Sequence, residues 1–185
     1  MTPEQIIALR AKVFLDATAT NLAHALDNLG LTNYLNTVDP AYFVWRTSTQ
    51  VTEISDAVTW ANLTPTDAAD GTATYTNRAL LCQAKQINLQ ILIQGREALN
   101  TTKSNVRAGV QDALTNIPSG VGGAIVGAGW AAVKAAMTRT ATLAEKMLAV
   151  GAGTAATPSN LHIEGVLSEH DVAVLIFRDD GTLWG

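Results

Sequence analysis

Two imidazoles and two carboxylates near the C-terminus are of the types that could bind a metal ion. His162, Glu164, His170 and Asp171 fall within ten residues. Zinc sites of this reach place two ligands at helical i, i+3 or i+4 spacing or use cysteine pairs, and neither pattern is present. The H-x-E segment of zinc deaminases also needs a P-C-x-x-C segment, which the sequence lacks. We therefore predict no metal site. His162 and Glu164 are predicted on a surface strand, and His170 and Asp171 in a helix cap that begins at Ser168.

A glycine-rich segment, Gly120–Gly129, has the composition of a phosphate-binding loop. A P-loop has Lys and then Ser or Thr after its last glycine, whereas this segment ends in Ala128 and Gly129. A dinucleotide-binding fingerprint follows a strand and precedes an acidic residue by about 20 residues. Here a predicted helix comes before the glycines, and Glu145 falls within another predicted helix. We therefore predict a flexible or tightly packed loop and no cofactor.

The spacing of the remaining reactive residues does not match a catalytic centre. No serine lies in a G-x-S-x-G segment, and Cys82 lies in an apolar run that is typical of a small buried hydrophobic residue. Glu53 and Asp56 are predicted on an exposed helix face, and Asp179 and Asp180 in a turn. Neither pair has a reason to be buried with a shifted pKa. The sequence therefore predicts a protein that is not an enzyme.

The composition narrows the class of protein further. The chain has 185 residues, of which 48% are hydrophobic and only 15% are charged, and its net charge is −4. It has no basic stripe for non-specific binding of nucleic acid. A low-charge, alanine-rich surface is typical of a protein that covers much of itself with neighbouring molecules. With a single cysteine and a helix start directly after Met1 instead of a secretory signal, we expect folding in a reducing cytoplasm.

Hydrophobic periodicity predicts that the N-terminal half is helical. A first helix is predicted over 3–29, because Thr2 and Gln5 match a capping box and Gly30 supplies a stop. A second is predicted after Asp39-Pro40, although its β-branched residues weaken the prediction. The later predicted helices cover 74–99, 104–117, 130–150 and 172–177.

The helix predicted over 74–99 is apolar on nearly every side, which is typical of a rod buried on all sides. Alternation over 161–166 predicts a short strand. The sequence therefore predicts a mainly α fold: a bundle of about five helices around a central buried helix, with minor β structure near the C-terminus and an extended C-terminal tail. We predict a helical bundle domain over 1–177 and a docking tail over 178–185.

The apolar segment from Val121 to Met137 raises the alternative of a membrane protein. It is shorter than the roughly 20 residues that a spanning helix needs, and Lys134 interrupts it. We predict no membrane association and retain a pore-forming or membrane-active helical protein as an alternative.

Several segments resemble a family of small proteins of tailed bacteriophages and prophages. They are Asn62–Ala68, Asn77–Gln86, Ile91–Arg96, Arg107–Leu114 and Ser119–Gly123 before Gly129-Trp130. The similarity covers 61–166, which is most of the chain, and it includes no catalytic signature.

The resemblance implies a structural protein of the virion, similar to the head-to-tail adaptor, or connector. Such adaptors are helical bundles that form a dodecameric ring beneath the portal and dock an extended C-terminal arm onto portal subunits. The resemblance thus implies a homo-oligomer whose partners are the portal protein and tail or nozzle proteins. It places the protein at the head–tail interface of the virion, assembled in the host cytoplasm. Genome DNA would pass through the ring lumen without sequence-specific binding.

The end of the chain carries the side chains predicted to dock onto the portal. Phe177, Arg178, Leu183 and Trp184 combine aromatic, apolar and guanidinium groups, and aromatic and arginine side chains dominate binding hot spots. Three alternatives to the adaptor remain: another virion part such as a tail-completion or capsid-stabilising protein, the membrane-active protein above, and an enzyme of unrecognised type.

Overall fold

The computed structural model of the protein describes residues 1–177 and 182–183. It is 53% helical and 13% strand, with nine α-helices among the described residues. At this level, the prediction of a mainly helical protein is confirmed. In chain order the elements are α1 (Pro3–Val13), α2 (Ala17–His24), α3 (Asn28–Leu35), β1 (Val38–Trp45), β2 (Thr49–Gln50), α4 (Val51–Ala57), α5 (Ala73–Ile93), β3 (Ala98–Leu99), α6 (Ser104–Leu114), α7 (Trp130–Ala136), β4 (Thr138–Thr142), α8 (Leu143–Leu148) and α9 (Glu169–Ile176).

Two compact units divide the chain. The first, here called the terminal unit, comprises Met1–Trp45 and the described residues from Arg139 onward. The second, here called the central unit, comprises Arg46–Thr138. The predicted bundle domain of residues 1–177 therefore spans both units.

The single first helix predicted over 3–29 is wrong, because the chain forms α1, α2 and α3 in its place. The capping box of Thr2 and Gln5 is confirmed at the start of α1. Asp16 then caps α2 by accepting from the Ala19 N–H at 2.9 Å, and Asp27 caps α3 by accepting from the Gly30 N–H at 2.8 Å. Aspartates that bond to the backbone in this way compete with helix continuation. The apolar pattern therefore continues along the sequence, but the chain forms three separate helices.

The helix predicted after Asp39-Pro40 is also wrong over most of its length. Residues Val38–Trp45 form β1, which pairs with β4, and Thr49 of β2 pairs with Leu99 of β3 in an antiparallel ladder. Only Val51–Ala57 is α-helical here, and the short 3-10 helix Trp60–Leu63 follows it. The aromatic and β-branched residues at the end of β1 favour an extended backbone, and this preference prevails once a partner strand is available.

Three further boundaries differ from the prediction. The helix predicted over 130–150 is divided into α7 and α8 by β4, whose alternating threonines favour a strand. The strand predicted over 161–166 is wrong, because the structure has only isolated bridges at the preceding Ser159 and Asn160. Gly165, at φ +115°, interrupts this segment with a backbone conformation that a regular strand does not use. The C-terminal helix begins earlier than predicted, at Glu169.

The core of the terminal unit joins helices from both ends of the chain. Here α1 packs against α8 and α9, and α3 packs against α2 and α9. The buried members of this core are Leu9, Val13, Ala19, Ala23, Leu31, Leu35, Ala144, Ile163, Leu167, Val172, Leu175 and Ile176.

In the central unit, the helix predicted over 74–99 forms as α5 but ends at Ile93, and Ala98 and Leu99 are in β3. The prediction that it is buried on all sides is wrong. Cys82 and Leu89 are buried on its inner face, and α5 packs against α6 and the short 3-10 helix Trp60–Leu63. Leu80 and Leu81 point to the opposite side and are exposed. In the part of the chain that the structure describes, the apolar side chains Leu80, Leu81, Ile87 and Ile91 therefore stay exposed. The prediction of a buried thiol at Cys82 is confirmed, and burial raises its pKa.

Candidate interaction surfaces

Three of the four potential metal ligands near the C-terminus belong to residues with separate contacts within the chain. Asp171 accepts from the Ser168 N–H at 2.9 Å and from its hydroxyl at 2.6 Å, which confirms the predicted capping box of α9. Glu164 lies 3.3 Å from Arg139, and the backbone oxygen of His162 accepts from the side chain of Gln5. Among the described residues, no group of three or more His, Cys, Asp or Glu side chains could hold a metal ion.

A buried carboxylate that the sequence analysis did not single out lies in the terminal unit. Glu145, which is 1% exposed, receives two hydrogen bonds from Arg139 at 2.7 and 2.8 Å. It also accepts from the Thr142 N–H at 2.9 Å and the Gly165 N–H at 3.0 Å. Burial alone would raise the pKa of this carboxyl, but the bonds from Arg139, Thr142 and Gly165 together outweigh it and hold the pKa below 4.5.

Four donors surround the Glu145 carboxylate, and all of them belong to the protein itself. Its chemistry is structural: it connects β4, the first turn of α8 and the chain at Gly165. The T-x-x-E spacing of Thr142 and Glu145 is a capping-box signal that could have located this site in the sequence.

The glycine-rich loop, residues 119–129, is held in place within the central unit. Arg78 donates to both carboxylate oxygens of Asp67 at 2.8 and 3.1 Å, and Asp67 accepts from the Gly122 N–H at 3.2 Å. The Arg78 guanidinium, aided by the Gly122 N–H, lowers the pKa of Asp67 from 3.8 to about 2. A carboxylate therefore occupies the backbone donor that a phosphate would need. A Cβ on Gly129, at φ +88°, would lie 2.6 Å from the Ala57 oxygen, so the loop is tightly packed.

Replacing Asp67 by asparagine is expected to loosen this loop. Hydrogen exchange of the Gly122 amide should accelerate about tenfold, because the side chain that accepts from this amide loses its negative charge and its two hydrogen bonds from Arg78. Exchange measured by NMR tests this, with Asp112→Asn as the control, since Asp112 pairs with Lys85 and does not contact the loop. The pKa of Asp67 is depressed, so in the wild type the Asp67–Arg78 ion pair and the bond from the Gly122 N–H persist below pH 3.8 and are lost only as pH falls through about 2. Equal exchange rates of the Gly122 amide in both variants would contradict the role of Asp67 in holding the loop.

The outer face of α5 carries four of the exposed large hydrophobic side chains of the described residues. It comprises Asn77, Leu80, Leu81, Ala84, Ile87, Asn88 and Ile91. Leu80 and Leu81 are each 56% exposed, Ile87 is 44% exposed and Ile91 is 63% exposed. The charged residues of the helix, Arg78 and Lys85, are bound instead to Asp67 and Asp112 of the same chain.

The C-terminal segment, residues 177–185, is described in part. Phe177 and Leu183 form an antiparallel bridge, and both side chains are partly buried against the core of the terminal unit. Just before it, the Arg10 guanidinium donates to the Leu175 oxygen at 2.6 Å and the Val174 oxygen at 3.0 Å, which satisfies the end of α9. The structure thus brings together two of the four predicted docking residues. Arg178 and Trp184 lie outside the described residues.

A groove of about 440 Å³ lies between α1 and the chain around the end of α8 in the terminal unit. Met147 and Leu148 contribute apolar surface, while Glu4, Lys12 and His162 are exposed at its edge.

Comparison of the chain with known protein families, with curated proteins and with solved structures finds no match. Within the described residues, no helix has both the length and the apolar character needed to cross a membrane.

Proposed function

We propose that this chain is a structural subunit of a tailed-bacteriophage virion, a head-to-tail adaptor that forms an oligomeric ring beneath the portal. The observation that carries the proposal is the uncharged apolar outer face of α5. Large exposed apolar patches mark interaction sites in soluble proteins. The segments Asn77–Gln86 and Ile91–Arg96, which carry much of the resemblance to tailed-phage proteins, contribute most of this helix.

An adaptor works by binding energy alone, so its surface matters more than any reactive group. Each ring subunit contacts its neighbours through two different faces, in a heterologous interface that closes on itself. The net charge of −4 supports a DNA passage, because a surface without excess positive charge does not retain phosphates. In this role the protein resides at the head–tail interface, after assembly in the host cytoplasm.

Docking onto the portal is assigned to the C-terminal segment. Phe177 and Leu183 are partly occupied by the terminal-unit core, so Arg178 and Trp184 are the residues we propose to supply most of the contact. Their types, an aromatic ring and a guanidinium, are those that dominate binding hot spots.

Purified chain mixed with purified portal rings of the encoding phage or prophage provides the test, read by negative-stain electron microscopy and co-sedimentation. We expect added ring density on the portal with the wild type. Deleting residues 178–185 should abolish it while leaving the far-UV circular dichroism signal unchanged, because the nine helices of the described residues end before residue 178.

Because the deletion also removes the core contact of Leu183, the double substitution Arg178→Ala with Trp184→Ala serves as a second variant that keeps that contact. It too should lose portal binding. Wild-type chain that never joins portal rings would contradict the adaptor role, and binding to purified tail tubes instead would favour a tail-completion protein. Persistent docking by both variants would show that the segment is not the anchor.

A further inference from the structure

The groove of about 440 Å³ in the terminal unit combines apolar surface with charges of both signs. Met147 and Leu148 contribute to its apolar lining, and Val150, which also lines it, is 61% exposed. On the α1 side, Glu4 and Lys12 are eight residues apart, which is about 12 Å along the helix axis. Amphipathic helices bind in grooves of this kind, with apolar side chains inside and charged groups at the rim.

The central unit carries a matching helix with charges at its border. Ile91, at 63% the most exposed apolar side chain on the outer face of α5, lines a shallow groove between α5 and α6 together with Asn88 and Asp112. Lys85 binds one carboxylate oxygen of Asp112, and 67% of the Asp112 side chain remains exposed. Arg96, also exposed, follows three residues after the end of α5.

One register matches these charges to those of the groove. When α5 of one copy lies antiparallel to α1 of another with Asn88 level with Lys12, position 96 is level with position 4. Lys12 then lies next to Asp112, and Glu4 next to Arg96, so both pairs have opposite signs. In a parallel arrangement with the same starting point, Glu4 is level with the apolar side chain at position 80 and has no cation beside it.

The geometry of the two helices favours the same orientation. Lys12 is displaced by about 40° from Ala8 around α1, and Asn88 by about 40° from Ala84 around α5, in the same sense. When two helices face each other, displacements in the same sense fall on the same side of the contact only if the helices are antiparallel. Lys12 therefore lies on the side of α5 that Asp112 borders.

We infer that the outer face of α5 of one copy of this chain occupies the terminal-unit groove of a second copy, antiparallel to its α1. Ile91 enters the groove beside Ala8, and Leu15, which is 80% exposed just after α1, covers Ala84. Two different faces meet, so each copy keeps one groove or one α5 free for a further copy, as a ring requires. The place of this contact in a ring rests on the proposed adaptor role, whereas the contact itself is measured without portal.

The charges also separate this occupant from a membrane or a nucleic acid. Either would bring phosphates against the Asp112 carboxylate, and the cation nearest to it, Lys85, is already bound to that carboxylate. A second copy brings Lys12 to the same position instead.

Two blocked variants test the contact. Ala84→Glu adds a charge to the α5 face, and Ala8→Glu adds one to the groove. Both residues are exposed on helices, so both variants should fold. In sedimentation equilibrium over about 5–500 µM, the wild type should associate beyond dimers and each variant alone should stay monomeric. An equimolar mixture should form a 1:1 dimer, because each variant keeps the face that the other has lost.

A matched control places the same charge elsewhere on the helix. Gln83 is exposed and lies about 100° away from Ala84 around α5. Gln83→Glu should therefore associate like the wild type. Equal loss of association in Gln83→Glu and Ala84→Glu would show that added charge alone, and not the blocked face, prevents assembly.

Charge reversal tests the register. Lys12→Glu and Asp112→Lys should each raise the Kd about three- to tenfold, because like charges then lie next to each other. Combined in one chain, the two substitutions restore opposite signs, and the Kd should return to within about threefold of the wild-type value. A double variant that associates no better than the single variants would contradict the pairing of Lys12 with Asp112.

Disulfides test the orientation. In a Cys82→Ala background, a mixture of Ala8→Cys and Ile91→Cys should give a covalent heterodimer under mild oxidation, because a disulfide needs Cα atoms within about 7 Å. Neither variant should crosslink by itself. Asn77→Cys lies on the same face 14 residues before Ile91, about 21 Å along the axis, and should not react with Ala8→Cys.

Three further results would overturn the inference. They are a wild type that stays monomeric over the whole concentration range, a mixture of the blocked variants that stays monomeric, and preferential crosslinking of Ala8→Cys to Asn77→Cys. If the wild type is monomeric and Ala84→Glu weakens only its binding to portal rings, the face binds the portal and a second copy is excluded. If the mixture dimerises but the wild type never joins portal rings, the contact is supported and the adaptor role is contradicted.

Discussion

Replacing Glu145 by alanine is expected to lower the free energy of unfolding by about 3–5 kcal/mol. The carboxylate is 1% exposed and receives bonds from Arg139 and from the backbone N–H groups of Thr142 and Gly165. Its removal leaves a guanidinium without its principal partner and two backbone donors without acceptors. Urea denaturation followed by far-UV circular dichroism measures the loss.

Glu164→Gln is the matched control for this variant. Glu164 contacts the same Arg139 but at 3.3 Å and with 37% of its side chain exposed, so its loss should cost less than about 1 kcal/mol. Equal losses in the two variants would contradict the assignment of Glu145 as the principal partner.

The same carboxylate should contribute to stability in a pH-dependent way. Its pKa in the folded chain is below the ordinary value of 4.5, so its contribution is fully present above pH 4.5 and is lost as pH falls through the folded value. The stability difference between the wild type and Glu145→Gln should therefore be constant above pH 4.5 and shrink in more acidic solution. A difference that grows on acidification would contradict a depressed pKa.

Replacing Leu175 by alanine is expected to lower the free energy of unfolding by about 2–5 kcal/mol. Leu175 of α9 is fully buried in the core that joins both ends of the chain. Val174, the preceding residue, is 39% exposed, and Val174→Ala should cost less than about 1 kcal/mol. Both substitutions keep the backbone oxygens that accept from Arg10, so the comparison isolates side-chain burial in the same denaturation experiment.

This pair of variants also bears on the C-terminal segment. If Leu175→Ala were as mild as Val174→Ala, α9 would not be part of the core, and the segment that follows it would not start from a fixed position. A large difference means that the proposed docking residues begin at the end of an anchored helix. Anchoring reduces the ordering cost when a segment binds its partner.

The outer face of α5 connects the sequence to the proposed role. In the sequence, a helix that is apolar on nearly every side predicts a central buried helix. In the structure only one side is covered, and Leu80 and Ile91 remain exposed on the other. The pattern predicted burial correctly for one face, and for the other face we assign the partner to another molecule.

The sequence by itself determined the features that depend on neighbours along the chain. The capping boxes at Thr2 and Ser168 and the buried character of Cys82 appear as predicted. A cap forms between residues three apart, so its energy depends on local spacing. The sequence also contained the capping box of Thr142 and Glu145. In the structure Glu145 has the further partners Arg139 and Gly165.

Only the tertiary structure decided the features that depend on distant partners. Val38–Trp45 became a strand because β4, almost a hundred residues later, pairs with it, and because Gly153 and Ser159 bond to the backbone of Phe43 and Trp45. Asp67 accepts from the Gly122 N–H and Arg78 donates to the Gly120 oxygen, and no spacing rule anticipates these contacts to the glycine-rich loop. Hydrophobic periodicity predicts how many faces of a helix are apolar. The tertiary structure decides which of these apolar faces is covered within the fold and which stays exposed for a binding partner.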